Sequence, residues 1–560
     1  MHAFAEGHHE VQENRTGGTE EPGVCGTCGQ TEDPPTEAIG EGIGIALDVA
    51  MLVERLERSR ELALVAVEEL GQPHHTESVA ADIRVTEPFE HLETSNQSGR
   101  PGVHGCILPH HHAKMQLGLK VEPDSGMELP LAPDERRVCA DIADRESELV
   151  DLVRELIRLD TTTHTLGAEP RDEAALQDML GRRLRAQGAE VRVWEPDPAS
   201  IAGHPMMPDG FTFAGRPQLA ACFRGTGGGR ALLLNGHIDV IAAAPEDGWR
   251  HDPFAGVVED GVVHGRGACD MKGGVASMVF AAETLARLGI ELAGDLIVNT
   301  VSEEESTGAG GLAMARALRA DAAIVPEPSS LGVWVACRGS LLPTITVEGR
   351  AGHAGLPPRA AEEGGAVNAI EKMALVLEAI VALRREWQQL PPHPFLSPAD
   401  CVPTVVAGGE WIVSYPAACR LDCHIEYLPG QADEHGWGSL VEQEFSDWIL
   451  QATAADPWLA AHPPQIEWLV GGVPPAEVPL DDPIVSTALG AARAVGRASE
   501  LGGLENWHDG ATLIVEAGIP SICLGPGDIN VAHTVDEFVP VVDLVACAQA
   551  IAVTAMRYCR

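Results

Sequence analysis

Residues 230–240 read RALLLNGHIDV, an apolar run that ends in a histidine and an aspartate. Similar runs recur at DLIVNTVS (295–302) and DAAIVPEPS (321–329), and helical stretches such as MKGGVASMVFAAETLARLG (271–289) separate them. Short apolar runs are typical of buried strands, and alternation of strands with helices is typical of a parallel sheet. We therefore predict the α/β fold class, with a central, mostly parallel sheet.

The α/β pattern is interrupted once along the chain. Between the two α/β stretches, half-buried strands around a long helix indicate a compact α+β unit. Before them, the chain is rich in Gly, Pro, Glu and His and has apolar periodicity only near 41–71. We predict a catalytic domain over 138–337 and 470–560, a smaller lid domain over 338–469, and a mostly disordered acidic extension over 1–137 with one helix.

The charge balance limits the classes of partner that the protein can have. Asp and Glu number 83 against 38 Lys and Arg, for a net charge of −45. Nucleic acids and anionic membranes need clustered basic residues, so we expect neither as a partner. The 13 cysteines form no regular framework, and Cys25 and Cys28 are a lone CxxC pair. Reduced thiols and no visible secretory signal in MHAFAEGHHE lead us to expect a cytoplasmic protein.

Side chains that can bind metals follow the predicted strands. They are His237 in NGHIDV, Asp270 in GRGACDMKGG, the run Glu303–Glu305, Glu327 between two prolines, and His533 in AHTVDEFV. Each has an ordinary alternative interpretation, such as a helix cap, a solvated turn or a structural histidine. Open α/β sheets, however, bind ligands at the ends of their strands. Two His, one Asp and two Glu suit Zn²⁺, with Co²⁺ or Mn²⁺ as substitutes.

Five such ligands suffice for two metals if one carboxylate bridges them. Paired metals polarise a carbonyl and lower the pKa of a shared water, which are the two requirements of amide hydrolysis. Asp239, two residues after His237, could hold the second nitrogen of that imidazole and fix its tautomer. The sequence therefore predicts a two-metal hydrolytic site.

The ordered motifs NGHIDV, GRGACDMKGG, EEESTGAGG, PEPS, GRAGHAG and AHTVDEFV give the chain a family resemblance over residues 140–558. It resembles the co-catalytic dizinc aminoacylases and exopeptidases, which include acetylornithine deacetylase, succinyl-diaminopimelate desuccinylase and the glutamate-releasing carboxypeptidase. The resemblance implies a zinc-peptidase-like domain with a lid that often mediates dimerisation. We accordingly expect a homodimer that acts on a small-molecule amide.

The resemblance also implies roles for single residues. It implies two Zn²⁺ per subunit, one on His237 and Glu327, the other on Glu305 and His533, with Asp270 as the bridge. Glu304 matches the general base that activates the water shared by the metals. The run of three glutamates leaves a shifted assignment open, with Glu303 as base and Glu304 as ligand.

Further residues are implied around the substrate. His353, in GRAGHAG, matches a lid histidine that helps stabilise the oxyanion, commonly in the site of the neighbouring subunit. Asn368 matches a lid position near the substrate, and Arg338 and Gly527 are further candidates for substrate binding. Asp509, in NWHDGA, stands where relatives have an Asp after Gly-Thr.

One position departs from the resemblance. Many relatives have a carboxylate-binding Arg in a lid strand three residues before a Pro-Gly pair, whereas LDCHIEYLPG has Glu426 there. Arg338 or Arg359 could replace it, or the substrate could lack that carboxylate. We therefore expect a deacylase of small N-acyl or N-formyl amines first and a dipeptidase or carboxypeptidase second. A metal-free binding protein and a single-metal aminopeptidase are the rival interpretations.

Overall fold

The computed structural model describes residues 130–163, 169–245, 248–468 and 472–560. The predictions for residues 1–129, including the helix near 41–71, lie outside these residues. The first described helix, α1 (Pro133–Asp144), packs against the last helix of the chain, and Glu135 accepts hydrogen bonds from Arg557. Packed structure therefore begins before residue 138.

The central sheet consists of nine of the described strands, numbered along the chain. In spatial order they are β1 (Glu190–Trp194), β2 (Gln218–Phe223), β6 (Leu296–Val301), β3 (Leu232–His237), β7 (Ala322–Val325), β18 (Ser521–Cys523), β8 (Val333–Cys337) and β16 (Ala476–Glu477), with β17 (Leu501–Leu504) also beside β8. The four middle strands β6, β3, β7 and β18 are parallel, and both margins add antiparallel pairs. The α/β prediction is confirmed, with a mixed sheet that is parallel at its centre.

Helices pack around this sheet and complete the core. They are α2 (Glu146–Ile157), α3 (Glu173–Ala186), α4 (Gly273–Arg287), α5 (Ala309–Ala317), α9 (Pro483–Ala494), α10 (Asp509–Ala517) and α11 (Val541–Tyr558). By length and composition α11 could cross a membrane, but 72% of it is buried inside the fold, where it packs on α4. Strand β3 is buried along its whole length, as expected for a central parallel strand.

A second, antiparallel sheet forms the smaller α+β unit, here called the lid. Its strands are β12 (Asp400–Gly408), β14 (Ala418–Tyr427), β10 (Pro343–Glu348) and β15 (Gln465–Trp468), with β9 (Gly339–Leu341) beside β14. The lid helices are α6 (Ala369–Trp387), α7 (Ser439–Thr453) and α8 (Pro457–Ala461). Trp387 and Phe445 belong to a hydrophobic core of the lid's own. The main domain is thus interrupted by a smaller unit, as the fold-class prediction required.

Two small ribbons complete the described structure. One pairs β11 (Gly352–His353) with β13 (Ser414–Tyr415). The other joins β4 (Val257–Glu259), β5 (Val262–His264) and β19 (Phe538–Pro540). Because β5 precedes Asp270 and β19 follows His533, this second ribbon brings the loops of two predicted metal ligands together.

Candidate metal centre

His237 is the last residue of β3, and its side chain is almost fully buried. The parallel neighbours of β3 end at the same edge: His237 pairs with Val301 of β6, and Leu234 pairs with Ile324 of β7. The glutamates that follow β6 and β7 are therefore delivered to the same place as His237. Strand ends of a parallel sheet commonly converge in this way on a ligand site.

The predicted ligands form two clusters that share Asp270. Nε2 of His237 lies 3.0 Å from Oδ1 of Asp270 and 3.6 Å from Oε1 of Glu327. Nε2 of His533 lies 3.4 Å from Oδ2 of Asp270 and 3.1 Å from Oε1 of Glu305. Within each cluster all the potential ligand atoms lie within 4.8 Å of one another. The two oxygens of Asp270 thus face different histidines, which is the arrangement of a bridging carboxylate.

The three consecutive glutamates have different surroundings. Oε1 of Glu303 lies 2.6 Å from Nε of Arg216, and its Oε2 accepts a 2.7 Å hydrogen bond from Ser306. Oε2 of Glu304 instead lies 4.0 Å from Nε2 of His237. The carboxylate of Glu303 is therefore engaged away from the metal cluster, and the geometry favours Glu304 and Glu305 over the shifted assignment.

Asp239 supports the site differently from the prediction. The contact that fixes Nδ1 of His237 is the backbone carbonyl of Asp239, at 2.9 Å, whereas the nearest carboxylate oxygen is 3.8 Å away. The carboxylate accepts hydrogen bonds from the backbone N–H groups of Glu304 (3.3 Å) and Glu305 (3.1 Å). Burial raises the pKa of Asp239 to about 7. Its side chain therefore holds the turn that presents the two glutamates.

Sequence reasoning missed Glu537, which holds the loop of Asp270. Its fully buried carboxylate accepts backbone hydrogen bonds from Cys269 (2.8 Å), Asp270 (3.0 Å) and Gly267 (3.1 Å). It also accepts a 2.6 Å hydrogen bond from Nη1 of Arg266. In the sequence Glu537 is one of many acidic residues, and no periodicity distinguishes it from a solvated one.

The cluster has an excess of negative charge that a cation would compensate. Burial and neighbouring carboxylates raise the pKa of Glu304 and Glu327 well above their usual range. Burial alone would lower the pKa of His237, but the surrounding carboxylates outweigh it and raise that pKa. Hydrogen bonds to Asp270 and Glu305 raise the pKa of His533 to about 10. Carboxylates that oppose one another's ionisation in this way need a compensating positive charge, and the donor set fits two divalent cations.

A cavity of about 230 Å³ opens beside the two clusters. The metal-binding side is formed by Asp270, Glu304, Glu305, Glu327 and His533. The rest consists of lid residues, apolar side chains and one amide, namely Ser340, His424, Glu426, Leu504, Trp507, Ile529 and Asn506. A substrate in this cavity would therefore lie between the metal ligands and the lid.

Comparison with known proteins gives this geometry a family. The sequence profile of peptidase family M20/M25/M40 matches residues 233–557. The chain belongs to this family. It is therefore a metal-dependent hydrolase of amide bonds, as the motif order predicted.

Curated relatives and solved structures agree with that membership. The chain is 27% identical to N-formyl-4-amino-5-aminomethyl-2-methylpyrimidine deformylase of Bacillus subtilis (strain 168), over 72% of this chain and 93% of the relative. It is 30% identical to acetylornithine deacetylase of Erwinia tasmaniensis, over 71% and 96%. The aminopeptidase PepT of Bacillus cereus shares the fold, with a TM-score of 0.55 at 20% identity, over 74% of this chain and 99% of PepT.

Two lid residues predicted from the family resemblance do not line the cavity. His353 is exposed on β11, where its Nδ1 accepts a 3.0 Å hydrogen bond from the backbone of Gly355. Asn368 caps α6 by accepting a 3.0 Å hydrogen bond from the backbone of Ile370, and it lines a separate groove. The physical reason is their place on lid elements that do not reach the metal ligands of the same chain.

The predicted arginines also lie outside the cavity lining. Nε of Arg338 donates a 2.7 Å hydrogen bond to the backbone carbonyl of Glu505 and lies 3.7 Å from Oε2 of Glu426. Arg359 donates to the backbone carbonyl of Glu363 on an exposed lid loop. Neither guanidinium therefore lines the cavity, although that of Arg338 lies next to Glu426.

Gly527 and Asp509 do not line the cavity. Gly527 has a φ of +83°, and a Cβ there would meet Sγ of Cys269 at 2.8 Å, so a side chain would disturb the residue before Asp270. Asp509 is buried at the start of α10 against Gly311, and burial raises its pKa to about 6. Gly527 is therefore explained by packing next to the loop of Asp270, whereas Asp509 is a buried acid, and the neighbouring charge of His237 opposes the rise of its pKa.

Proposed function

We propose that this protein is a deacylase that hydrolyses the amide bond of a small N-formyl or N-acyl amine at a pair of Zn²⁺ ions. The ions would be held by His237, Glu327, Glu305 and His533, with Asp270 as the shared ligand. The observation that carries this proposal is the two-sided contact of Asp270, whose oxygens lie 3.0 and 3.4 Å from two different histidines. Co²⁺ and Mn²⁺ suit the same donors and would substitute.

The residues around these ligands supply the remaining chemistry. When bound, a pair of divalent cations polarises the amide carbonyl and lowers the pKa of water. Glu304 lines the cavity beside both clusters, and burial raises the pKa of its carboxylate. A carboxylate of raised pKa can take a proton from the attacking water and pass it to the leaving nitrogen. The carboxylate of Asp239 keeps Glu304 in place by accepting a hydrogen bond from the backbone N–H of Glu304.

The substrate class follows from the relatives and from the lid. The deformylase and the deacetylase align over more than nine-tenths of their own length, so nearly all of each relative has a counterpart in this chain. Their names describe the removal of a formyl or acetyl group from a small amine. Glu426 in place of an arginine favours an amine half without the carboxylate of an amino acid or peptide.

We further propose that the lid mediates a homodimer. Strand β12 lies at the edge of the lid sheet, and its Val405 and Val406 are exposed. Trp411 and Ile412, in the loop that follows, are 68% and 93% exposed. An apolar, unpaired edge of this kind is a favourable surface for a second copy. His353, exposed on the same lid, is then available to the cavity of the partner subunit for oxyanion stabilisation.

A cytoplasmic location is part of the proposal. Every cysteine among the described residues is a free thiol, and nearly all are buried. Buried free thiols are typical of proteins from reducing compartments. Comparison of thiol content under denaturing conditions before and after reduction tests this, and protein from cells should show no increase.

A substrate panel tests the proposed function. Enzyme loaded with Zn²⁺ or Co²⁺ is assayed for free amine released from N-formyl amines, N-acetyl amines and dipeptides, with Glu304→Gln as the inactive control. We expect turnover of the formyl and acetyl amines. Turnover confined to dipeptides would overturn the deacylase assignment in favour of an exopeptidase, and a protein that binds neither metal would overturn the hydrolytic site itself.

A further inference from the structure

The lid side of the cavity is a connected set of polar residues. Ser340 of β9 pairs with Glu426 of β14 across the two strands, and His424 lies two residues before Glu426 on the same face. Oγ of Ser340 lies 2.8 Å from Nε2 of His424, which lies 3.1 Å from Oε1 of Glu426. These three residues are here called the lid wall, and they face the metal ligands across the cavity.

The lid wall has no cation to offer a substrate. None of the described residues that line the cavity is Lys or Arg. Arg338 lies behind Glu426, with its Nε 3.7 Å from Oε2 of that residue, and it donates to the backbone carbonyls of Glu505 (2.7 Å) and Pro398 (3.3 Å) and not into the cavity. A substrate carboxylate at this wall would therefore meet the like charge of Glu426. An N–H group of the substrate would instead donate to the carboxylate of Glu426. Hydrogen bonds to a charged group are stronger than those between neutral groups.

The remaining lining suits a flat ring. Leu504, Trp507 and Ile529 line the same cavity and contribute apolar surface. The volume of about 230 Å³ leaves room for one small ring beside the amide. Burial against an aromatic side chain would stabilise a planar heterocycle, while its N–H edge reaches the lid wall.

We propose that Glu426 is the specificity-determining residue of this enzyme. Its carboxylate accepts a hydrogen bond from an amino-substituted, amidine-like edge on the amine half of the substrate, such as that of a 4-aminopyrimidine. The same carboxylate disfavours N-acyl amino acids. This inference rests on the proposed deacylase function and names the substrate class for that site.

Matched substrates and variants test the inference. The first substrate is the N-formyl derivative of 5-aminomethyl-4-aminopyrimidine. The second is N-formylbenzylamine, whose ring is of similar size but has no amino group. Glu426→Gln should lower kcat/KM about 10- to 100-fold for the first, mainly through KM, and leave the second nearly unchanged. Glu505→Gln is the control, because it removes a carboxylate 3.4 Å from Nε of Arg338 but outside the cavity lining.

The outcomes separate this inference from the function on which it rests. Equal losses on both substrates in Glu426→Gln, or the same selective loss in Glu505→Gln, would overturn the assignment of Glu426. Wild-type enzyme that cleaves both formamides without preference would also overturn it while leaving the deacylase function intact. Wild-type enzyme that cleaves neither, with its metals bound, would overturn the proposed function. Glu426→Arg adds a gain-of-function readout, since it should raise kcat/KM for N-formylglycine.

Discussion

The two sides of the cavity are built in opposite ways. The metal side takes His237, Glu305 and Glu327 from the ends of parallel strands, and Asp270 and His533 from loops beside the antiparallel ribbon of β4, β5 and β19. Buried acceptors such as Glu537 and Asp239 hold these loops through backbone hydrogen bonds. The lid wall takes its residues from the paired strands β9 and β14 of an antiparallel sheet, and the side chains of Ser340, His424 and Glu426 contact one another above that pairing. The metal ligands therefore depend on the topology of the fold. The side chains of the lid wall can be substituted without disturbing the fold, and such substitutions would change the substrate.

The largest expected effect concerns the metal side. Glu304→Gln should lower kcat about 10²- to 10⁴-fold, because the amide cannot take up the proton of the attacking water. Metal content should stay at the wild-type level, since Glu304 belongs to neither ligand cluster. Steady-state kinetics together with elemental analysis check both parts, and near-wild-type turnover with metals bound would remove Glu304 from the role of base.

Glu537→Gln tests whether the hydrogen bonds that Glu537 accepts from the loop of Asp270 contribute to metal affinity. The amide retains one acceptor oxygen but loses the charge that pairs with Arg266 at 2.6 Å. Residues that hold a metal ligand in place typically change metal affinity 10- to 100-fold, and we expect about that loss for both metal ions, because both clusters use Asp270. Zn²⁺ titration of stripped protein measures the affinity, with Glu505→Gln as the surface control. An unchanged affinity would reduce Glu537 to a folding role.

Subunit mixing tests whether the lid acts across a dimer. Glu304→Gln and His353→Ala homodimers should each be nearly inactive. Mixed after mild dissociation, they should regain part of the wild-type activity, because one site of the mixed dimer combines an intact Glu304 with an intact His353 from the partner. Amine release before and after mixing is the measurement. If no activity returns although mixed dimers form, His353 acts within its own chain or not at all.

The metal-free protein should lose stability as pH rises, because two groups of the metal side have raised pKa values. Burial raises the pKa of Asp239 to about 7, and hydrogen bonds raise that of His533 to about 10. A buried acid of raised pKa loses its stabilising contribution as pH rises from its ordinary value, 3.8 for Asp239, to the folded-state value. A histidine of raised pKa stabilises the fold fully below its ordinary pKa of 6.5 and loses that contribution as pH rises toward the folded-state value.

Both contributions therefore have the same sign. The low pKa of Asp270 adds nothing in this range, because its contribution is already complete above the ordinary value of 3.8. We expect the Tm of the stripped protein to fall by about 5 °C or more between about pH 5 and pH 9, and the Zn²⁺-loaded protein to change less. A stripped protein whose Tm rises over this range would contradict these charge assignments.

The difference between the metal side and the lid wall also explains which site residues could be predicted from the sequence. His237, Glu305 and Glu327 lie at the ends of parallel strands, so their convergence could be predicted from the strand pattern. Asp270 and His533 lie in loops that an antiparallel ribbon brings together, and they were assigned through the order of the family motifs. The role of Asp239 was only half right, because a sequence does not distinguish a carboxylate contact from that of its own backbone carbonyl. Glu537 was missed because buried and solvated glutamates look alike in a sequence.

The lid positions were harder to predict for a different reason. His353 and Asn368 were assigned by resemblance, and their relation to a site depends on how a lid or a second chain is placed, which local sequence does not determine. Arg338 was proposed as a carboxylate ligand, yet the backbone carbonyl of Glu505 holds its Nε away from the cavity. The role of a lid residue can therefore be assigned only when its contacts in the structure are known.

The number of metal ions per chain tests the central claim most directly. Titration of stripped wild-type protein with Zn²⁺, followed calorimetrically, should give two equivalents per chain, and Asp270→Ala should lose both because each cluster uses that carboxylate. Glu327→Ala should retain one. A wild-type protein that saturates at one equivalent, or an Asp270→Ala variant that still binds two, would contradict a metal pair bridged by Asp270.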